Sequence, residues 1–237
     1  KTYRIAIKWV GLKVFFECLK EGRNIFAGNL SVIFMRDFNL IILTAFGASS
    51  SAIAVYSIAE KLIKGFQATV RPLNRFFYPK VIRLLQRYSS PSQKVFRVIN
   101  KVTLVQLFLL SISTVLLLLG YIFLDGGAYF ALKVKDIKQI EGLVLIMLPA
   151  VFVGVANYMF GTAGLNNLNS ERRYAAYLIM TGFFSFLLSM LLVYFLEHQG
   201  AAIAFLLSEI LLFSLVISCY FIKIKSSLLM KFKDHDH

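Results

Sequence analysis

The sequence predicts an all-helical integral membrane protein with six membrane-spanning helices. Hydrophobic residues make up 58% of the 237 residues and charged residues only 16%, whereas about a quarter of the residues in a soluble domain are charged. The mean hydropathy of the chain is +0.72, and its apolar stretches reach the roughly 20 helical residues that a bilayer crossing requires. The basic residues also concentrate in alternate loops, as they do in the cytoplasmic loops of membrane proteins.

The predicted elements are a lead-in, six spans and a tail. Residues 1–24 are predicted to form an amphipathic cytoplasmic lead-in, because Lys and Arg are mixed there with Ile, Val, Trp and Phe. Its first 20 residues fit either an interfacial helix or the tail of an earlier span. Spans are predicted at residues 25–46, 52–78, 102–124, 143–162, 174–196 and 201–222, and a cytoplasmic tail at residues 223–237. The short links between several of these spans favour a bundle built from helical hairpins.

The distribution of Lys and Arg decides whether the charged second span crosses the membrane. If it does, eighteen of the 26 basic residues lie on one side, three lie on the other, and five lie within spans. If residues 52–78 lay on the surface, the later loops would change sides and this bias would largely vanish. The sequence therefore predicts that the second span crosses and that both termini are cytoplasmic. The net charge of +14 is explained in this way without a nucleic-acid partner.

Polar residues recur along the second span at steps of three and four, which places them on one helical face. This face consists of Glu60, Lys64, Gln67, Arg71, Asn74 and Tyr78, with Arg75 beside it. In the first span, Asn29 and Arg36 share a face, and Asp37 is expected to compensate the charge of Arg36. Because charges at bilayer depth face protein or a hydrated cavity, these ten residues are the predicted substrate-binding residues of a cationic cavity that attracts anions.

A structural interpretation of the same charges remains open. Lys61 and Lys64 are positioned to pair with Glu60, and Arg75 lies near enough to the cytoplasmic end to extend toward it. Glu209 in the last span fits either an ion pair between helices or a coupling site for transport. Four small or polar residues, in the fourth span and just after it, share one face and predict close helix packing; they are Gly154, Asn157, Gly161 and Gly164.

Other chemistries find little support in the sequence. The three histidines lie in a loop or in the tail, no catalytic constellation stands out, and no Gly-rich phosphate-binding loop is present. We therefore expect neither an enzyme nor a cofactor or metal site. Cys18 and Cys219 are far apart in apolar surroundings and are expected to be buried hydrophobic residues rather than a disulfide.

Three stretches of the chain resemble parts of one known family. The first, residues 19–65, contains "VYSIAEKL" and is followed by "FFYPKV" at residues 76–81. The second is "GTAGLNNLNSERRYAAYLIMTG" and the third is "GAAIAFLLSEILLF". In this order they are similar to the seventh and eighth spans, to the cytoplasmic turn between spans ten and eleven, and to the start of span twelve of the Wzx-type oligosaccharide flippases, in the multidrug/oligosaccharidyl-lipid/polysaccharide exporter superfamily. Their order matches the six predicted spans across nearly the whole chain.

The resemblance implies a C-terminal lobe of six helices in a two-lobed transporter of about twelve. It implies a bacterial cytoplasmic membrane, a cavity lined by the first two spans here, and an undecaprenyl-diphosphate-linked oligosaccharide as cargo, for polysaccharide or lipopolysaccharide biosynthesis. Membrane lipids and an N-terminal lobe, or a second copy, are the implied partners. Because the chain begins with Lys1 rather than Met, it is expected to start inside a longer protein, and a nonfunctional half-gene remains open.

Two other functions remain open at this point. A drug or cation antiporter of the same superfamily carries cationic cargo, so it would need an acidic cavity rather than the predicted basic one. A membrane polysaccharide polymerase or ligase would need reactive residues on the outer face. The longest predicted outer loop, residues 125–142, contains acidic residues but neither His nor Arg.

Overall fold

The computed structural model describes residues 11–87, 93–123, 136–168 and 170–233, and every regular element in these ranges is helical. The predicted all-helical class is confirmed. The α-helices are α1 (Leu12–Arg36), α2 (Phe38–Ala45), α3 (Ser50–Arg87), α4 (Gln93–Phe123), α5 (Ile137–Asn157) and α6 (Glu171–Lys233). A π-helix (Tyr158–Gly164) and a 3-10 turn (Leu165–Asn167) follow α5.

The predicted first span is divided into two helices. The segments Phe26–Ile33 and Phe38–Ala45 are bent by 49° relative to one another, and the break falls at Asp37. Helix α1 also begins at Leu12, so residues 12–24 of the predicted lead-in belong to the same helix as the first part of the span. Residues 1–10 lie outside the described ranges. The two residues at the break form ion pairs with different helices, Arg36 with Glu209 of α6 and Asp37 with Lys64 of α3.

Helix α3 runs for 38 residues and contains Pro72 and Pro79. Each proline lacks the N–H that would donate to the preceding turn, yet the helix continues through both positions to Arg87. Val70 and Val81, on either side of the two prolines, are both buried in the core. Packing on this face holds the helix together where two backbone hydrogen bonds are missing.

Helix α6 folds back on itself at Glu197, whose φ of 48° is not helical. Ser208 Oγ donates a hydrogen bond to Ser185 Oγ at 2.7 Å, although 23 residues separate them and a straight helix would hold them about 35 Å apart. The two arms, residues 171–196 and 198–233, are therefore antiparallel. They contain the predicted spans 174–196 and 201–222.

Three described helices are long and apolar enough to cross a membrane, namely Val95–Leu119, Ile137–Asn167 and Glu171–Lys225, with a fourth if the bent pair α1–α2 counts as one span. Apolar side chains remain exposed along α4 and α6, including Leu104, Phe108, Phe183 and Phe195, as suits a surface in contact with lipid. Helix α3 is not among these candidates because its charges interrupt the apolar run. The six-span count remains a prediction.

Helix α1 packs closely against the first arm of α6. A Cβ added at Gly28 would lie 3.2 Å from Leu178, and one added at Gly182 would lie 2.8 Å from Ser31. Position along α1 therefore rises with position along α6, so α1 and the first arm of α6 run parallel. The hydrogen bond from Ser189 to Asn39, 2.6 Å long, continues the same register into α2.

Candidate functional site

A cavity of about 1270 Å³ lies between α1, α3, α5 and α6. The polar residues that line it are Glu17, Lys20, Arg23, Arg36, Gln67, Asn74, Arg75, Asn157, Tyr158, Thr162, Asn166, Glu171, Arg172 and Tyr174. Five of these are basic and two are acidic. A net positive cavity with low-dielectric walls concentrates anions.

The cavity is elongated, and its two ends differ. Along α1 the lining runs from Glu17 to Arg36, which corresponds to about 28 Å of helix. The parallel packing of α1 and α6 brings Arg172 to the same level as Lys20 and Arg23. We call this the basic end, and it belongs to segments that the sequence predicts to be cytoplasmic.

The other end, which we call the inner end, contains Arg36, Gln67, Gly154 and Asn157. Arg36 Nε donates to Glu209 Oε1 at 2.7 Å, and its Nη2 lies 2.7 Å from the same oxygen. Glu209 is fully buried, whereas 30% of the Arg36 side chain is exposed. An ion pair from α6 therefore holds the guanidinium of Arg36 at this end of the cavity.

Asn157 fixes the second oxygen of that carboxylate. Its Nδ2 donates to Glu209 Oε2 at 2.8 Å and to the backbone carbonyl of Glu209 at 3.1 Å. Since both neighbours are acceptors, they also fix which atom of the Asn157 amide is the nitrogen. The π-helix begins at the next residue, and such distortions of helices are frequent at functional sites.

Gly154 leaves room at the inner end. A Cβ at this position would lie 3.6 Å from Arg36 Nη2, 3.6 Å from Gln67 Nε2 and 3.6 Å from Glu209 Oε2. Groups from α1, α3 and α6 thus converge on one point of α5 that carries no side chain. Gly161 and Gly164, from the same predicted small face, instead pack against Tyr174 and Tyr220, as the helix-packing prediction requires.

A second group of charges lies one turn beyond the inner end. Lys64 Nζ binds Asp37 Oδ1 at 2.6 Å and Glu60 Oε1 at 3.0 Å. The predicted pair of Glu60 with Lys64 is therefore confirmed. The predicted compensation of Arg36 by Asp37 is wrong, because Asp37 lies at the helix break and is directed to α3 while Arg36 is directed to α6. Lys61 is exposed on the surface of α3.

The predicted binding residues separate into four sets. Arg36, Gln67, Asn74 and Arg75 line the cavity, whereas Asp37, Glu60 and Lys64 form the neighbouring ion cluster. Tyr78 packs beside the hydrophobic cluster of Val102, Met159 and Ala163. The side chains of Asn29 and Arg71 lie outside the described part of the structure.

The residues at the basic end are not among the predicted site residues. Glu17 and Lys20 belong to the predicted lead-in. They nevertheless lie on the face of α1 that leads through Gly28 and Val32 to Arg36, because successive members of this series are three, eight, four and four residues apart. Extending that face upstream would have found them. Arg172 was counted only for topology, and its place in the cavity depends on the packing of α6 against α1.

No family model, curated protein or solved structure matches the chain. Within the described residues, no cluster of three or more His, Cys, Asp or Glu side chains suits a metal ion. The histidines of the tail, at residues 235 and 237, lie outside those ranges.

Proposed function

We propose that the chain is one six-helix lobe of a flippase that moves an undecaprenyl-diphosphate-linked oligosaccharide across a bacterial cytoplasmic membrane. In this proposal the two arms of α6, the bent pair α1–α2, and α3, α4 and α5 each cross the membrane. Both termini are cytoplasmic, and a second lobe or a second copy completes the transporter. The observation that carries the proposal is the cationic cavity of about 1270 Å³.

The charge of the cavity supports an anionic cargo. Arg23, Arg75 and Arg172 supply guanidinium groups at or toward the basic end, and guanidinium groups bind phosphate oxygens in a bidentate manner. They are spread along the cavity rather than gathered in one trap, which suits a substrate that must be released. A polar head group can then cross in the cavity while the lipid tail stays in the bilayer.

The same charges argue against the alternative cargo. A drug or cation antiporter would bring a positive charge into a cavity with a surplus of basic residues, where the field is repulsive. Among the described residues, the acidic ones that line the cavity are Glu17 and Glu171, and both are exposed. Glu209, behind the lining, is already neutralised by Arg36.

Ligand binding tests the proposal directly. The full chain is reconstituted in lipid nanodiscs, and its affinities for undecaprenyl diphosphate and for the neutral alcohol undecaprenol are compared. We expect the diphosphate to bind more tightly and free pyrophosphate to compete with it. Equal affinity for the two lipids, or preference for the lipophilic cation tetraphenylphosphonium, contradicts the proposal.

Arg75→Ala supplies the matched variant. Loss of one charge-assisted contact should weaken diphosphate binding about tenfold, whereas Arg97→Ala should leave it unchanged, since Arg97 is exposed on α4 and is not part of the cavity lining. Both variants remove one arginine, so a general effect of net charge would weaken both alike. In proteoliposomes with the second lobe present, the rate at which a fluorescent lipid-linked oligosaccharide is flipped should fall in Arg75→Ala and stay unchanged in Arg97→Ala.

A further inference from the structure

The inner end of the cavity presents hydrogen-bond donors that the protein leaves available. A guanidinium has five N–H groups, and the pair of Arg36 with Glu209 uses those of Nε and Nη2 that face Oε1. The rest of the Arg36 side chain lines the cavity and is partly exposed. Gln67 Nε2, from α3, lies close to the same point. Two donor groups from different helices thus border one space.

Gly154 keeps that space open. Both donor groups are in van der Waals range of the position that a Cβ at residue 154 would occupy. A larger side chain would fill the space between Arg36 and Gln67. The buried carboxylate of Glu209 also lies within 3.6 Å of that Cβ position, so a ligand at the inner end is bound by the donors and repelled by the negative charge of the carboxylate.

Glu209 is the feature that makes this arrangement unusual. It is fully buried, its second oxygen is held by Asn157, and its backbone carbonyl is held by the same amide. The carboxylate therefore cannot follow the guanidinium if Arg36 turns toward a ligand. An anion in the cavity must compete with a fixed negative charge for the same cation, which lowers its affinity.

We infer that the inner end is a subsite for a phosphate-type anion, in which Arg36 and Gln67 bind the anion, Gly154 gives it room, and Glu209 limits its affinity so that it can leave. This inference rests on the proposed function and names the part of the cavity that receives the phosphate groups. Glu209 is a positioning residue here, because it acts on the ligand through Arg36. Free pyrophosphate and the diphosphate of a lipid share the required chemistry.

Three variants test the subsite with pyrophosphate alone as the probe, on the full chain in nanodiscs. Glu209→Gln keeps the shape of the side chain and removes the competing charge, so it should tighten pyrophosphate binding about tenfold. The double variant Arg36→Gln with Glu209→Gln removes both charges without leaving either one buried alone, and it should weaken binding below that of the wild type. Gly154→Leu should abolish binding at the inner end. Thermal unfolding of each variant checks that it is folded.

The outcomes distinguish this inference from the proposed function. If Glu209→Gln and Gly154→Leu bind pyrophosphate as the wild type does, while Arg75→Ala binds it less well, the subsite is overturned and the cavity proposal stands. If the wild type binds neither pyrophosphate nor undecaprenyl diphosphate, both are overturned. A tightening in Glu209→Gln for undecaprenyl diphosphate as well as for pyrophosphate assigns the subsite to the lipid head group. A tightening for pyrophosphate alone assigns it to free phosphates.

Discussion

Arg36 and Glu209 bind one another across 173 residues of sequence, at the inner end of the cavity. Arg36 is the last residue of α1, and Glu209 lies in the second arm of α6. The next residue, Asp37, is bound by Lys64 of α3. Two adjacent residues of opposite charge thus tie the break between α1 and α2 to two different helices, so the ion pairs fix the position of the break.

Arg36→Ala should destabilise the protein strongly. The substitution leaves the carboxylate of Glu209 buried without its cation, and the loss of one partner of a buried pair costs about 3–5 kcal/mol. Glu209→Leu combined with Arg36→Met should restore most of the stability, since both charges are then absent. Unfolding in detergent, followed by circular dichroism, measures both.

Lys64→Ala is the comparison for that experiment. Lys64 and Asp37 are both nearly half exposed, and pairs of this kind contribute only about 0–1 kcal/mol. A loss of stability as large as that of Arg36→Ala would mean that the two ion pairs are equally buried in the protein, contrary to the structure.

Much of the fold could be predicted because hydropathy and charge spacing are local properties. The polar residues of α3 recur at steps of three and four and therefore share one face, and this face brings Gln67, Asn74 and Arg75 to the cavity. The partner of Arg36 could not be found in this way. Asp37 was the nearest acidic residue in sequence, whereas the choice of Glu209 depends on how α6 folds back and packs.

The end of the predicted lead-in at residue 24 and the helix break at residue 37 also show what local sequence cannot predict. Hydropathy falls before residue 25, so the sequence predicts a lead-in there, but hydropathy does not show that the lead-in and the start of the first span form one continuous helix from Leu12. The break at Asp37 occurs inside an apolar stretch, where no glycine or proline marks it. Its cause is tertiary, since Arg36 and Asp37 form ion pairs with two different helices.

The proposed orientation predicts opposite accessibilities for two loops. A cysteine at Ser90 should be protected from a membrane-impermeant maleimide in intact cells, and a cysteine at Phe130 should react, once Cys18 and Cys219 have been replaced. The reason is that six of the basic residues lie in residues 80–101 and only three in residues 125–142. The reverse labelling pattern contradicts the orientation and the six-span count.

Gly200→Ala should disrupt the reversal of α6. A Cβ at this position would lie 2.0 Å from the carbonyl oxygen of Leu192, and because the neighbour is backbone, the turn itself would have to shift. We expect a loss of about 1–3 kcal/mol, visible as a lower melting temperature. Gly65→Ala is the matched control, since nothing lies within 4 Å of its Cβ position in α3; it should be neutral or stabilising by up to about 1 kcal/mol. Equal melting temperatures for the two variants would contradict the tight turn.

Asn157→Leu should loosen the carboxylate of Glu209. Leucine has a similar volume, so the variant removes the hydrogen bonds to Glu209 Oε2 and to its backbone carbonyl with little change in packing. A hydrogen bond to a charged group contributes about 1.5–3 kcal/mol, and we expect a loss of that size in the free energy of unfolding. Asn166→Leu is the control, because Asn166 also lines the cavity and is half buried, but lies in the 3-10 turn and is not among the described residues that donate to Glu209. If the two variants lose stability equally, Asn157 does not hold Glu209, and the carboxylate is free to move with Arg36.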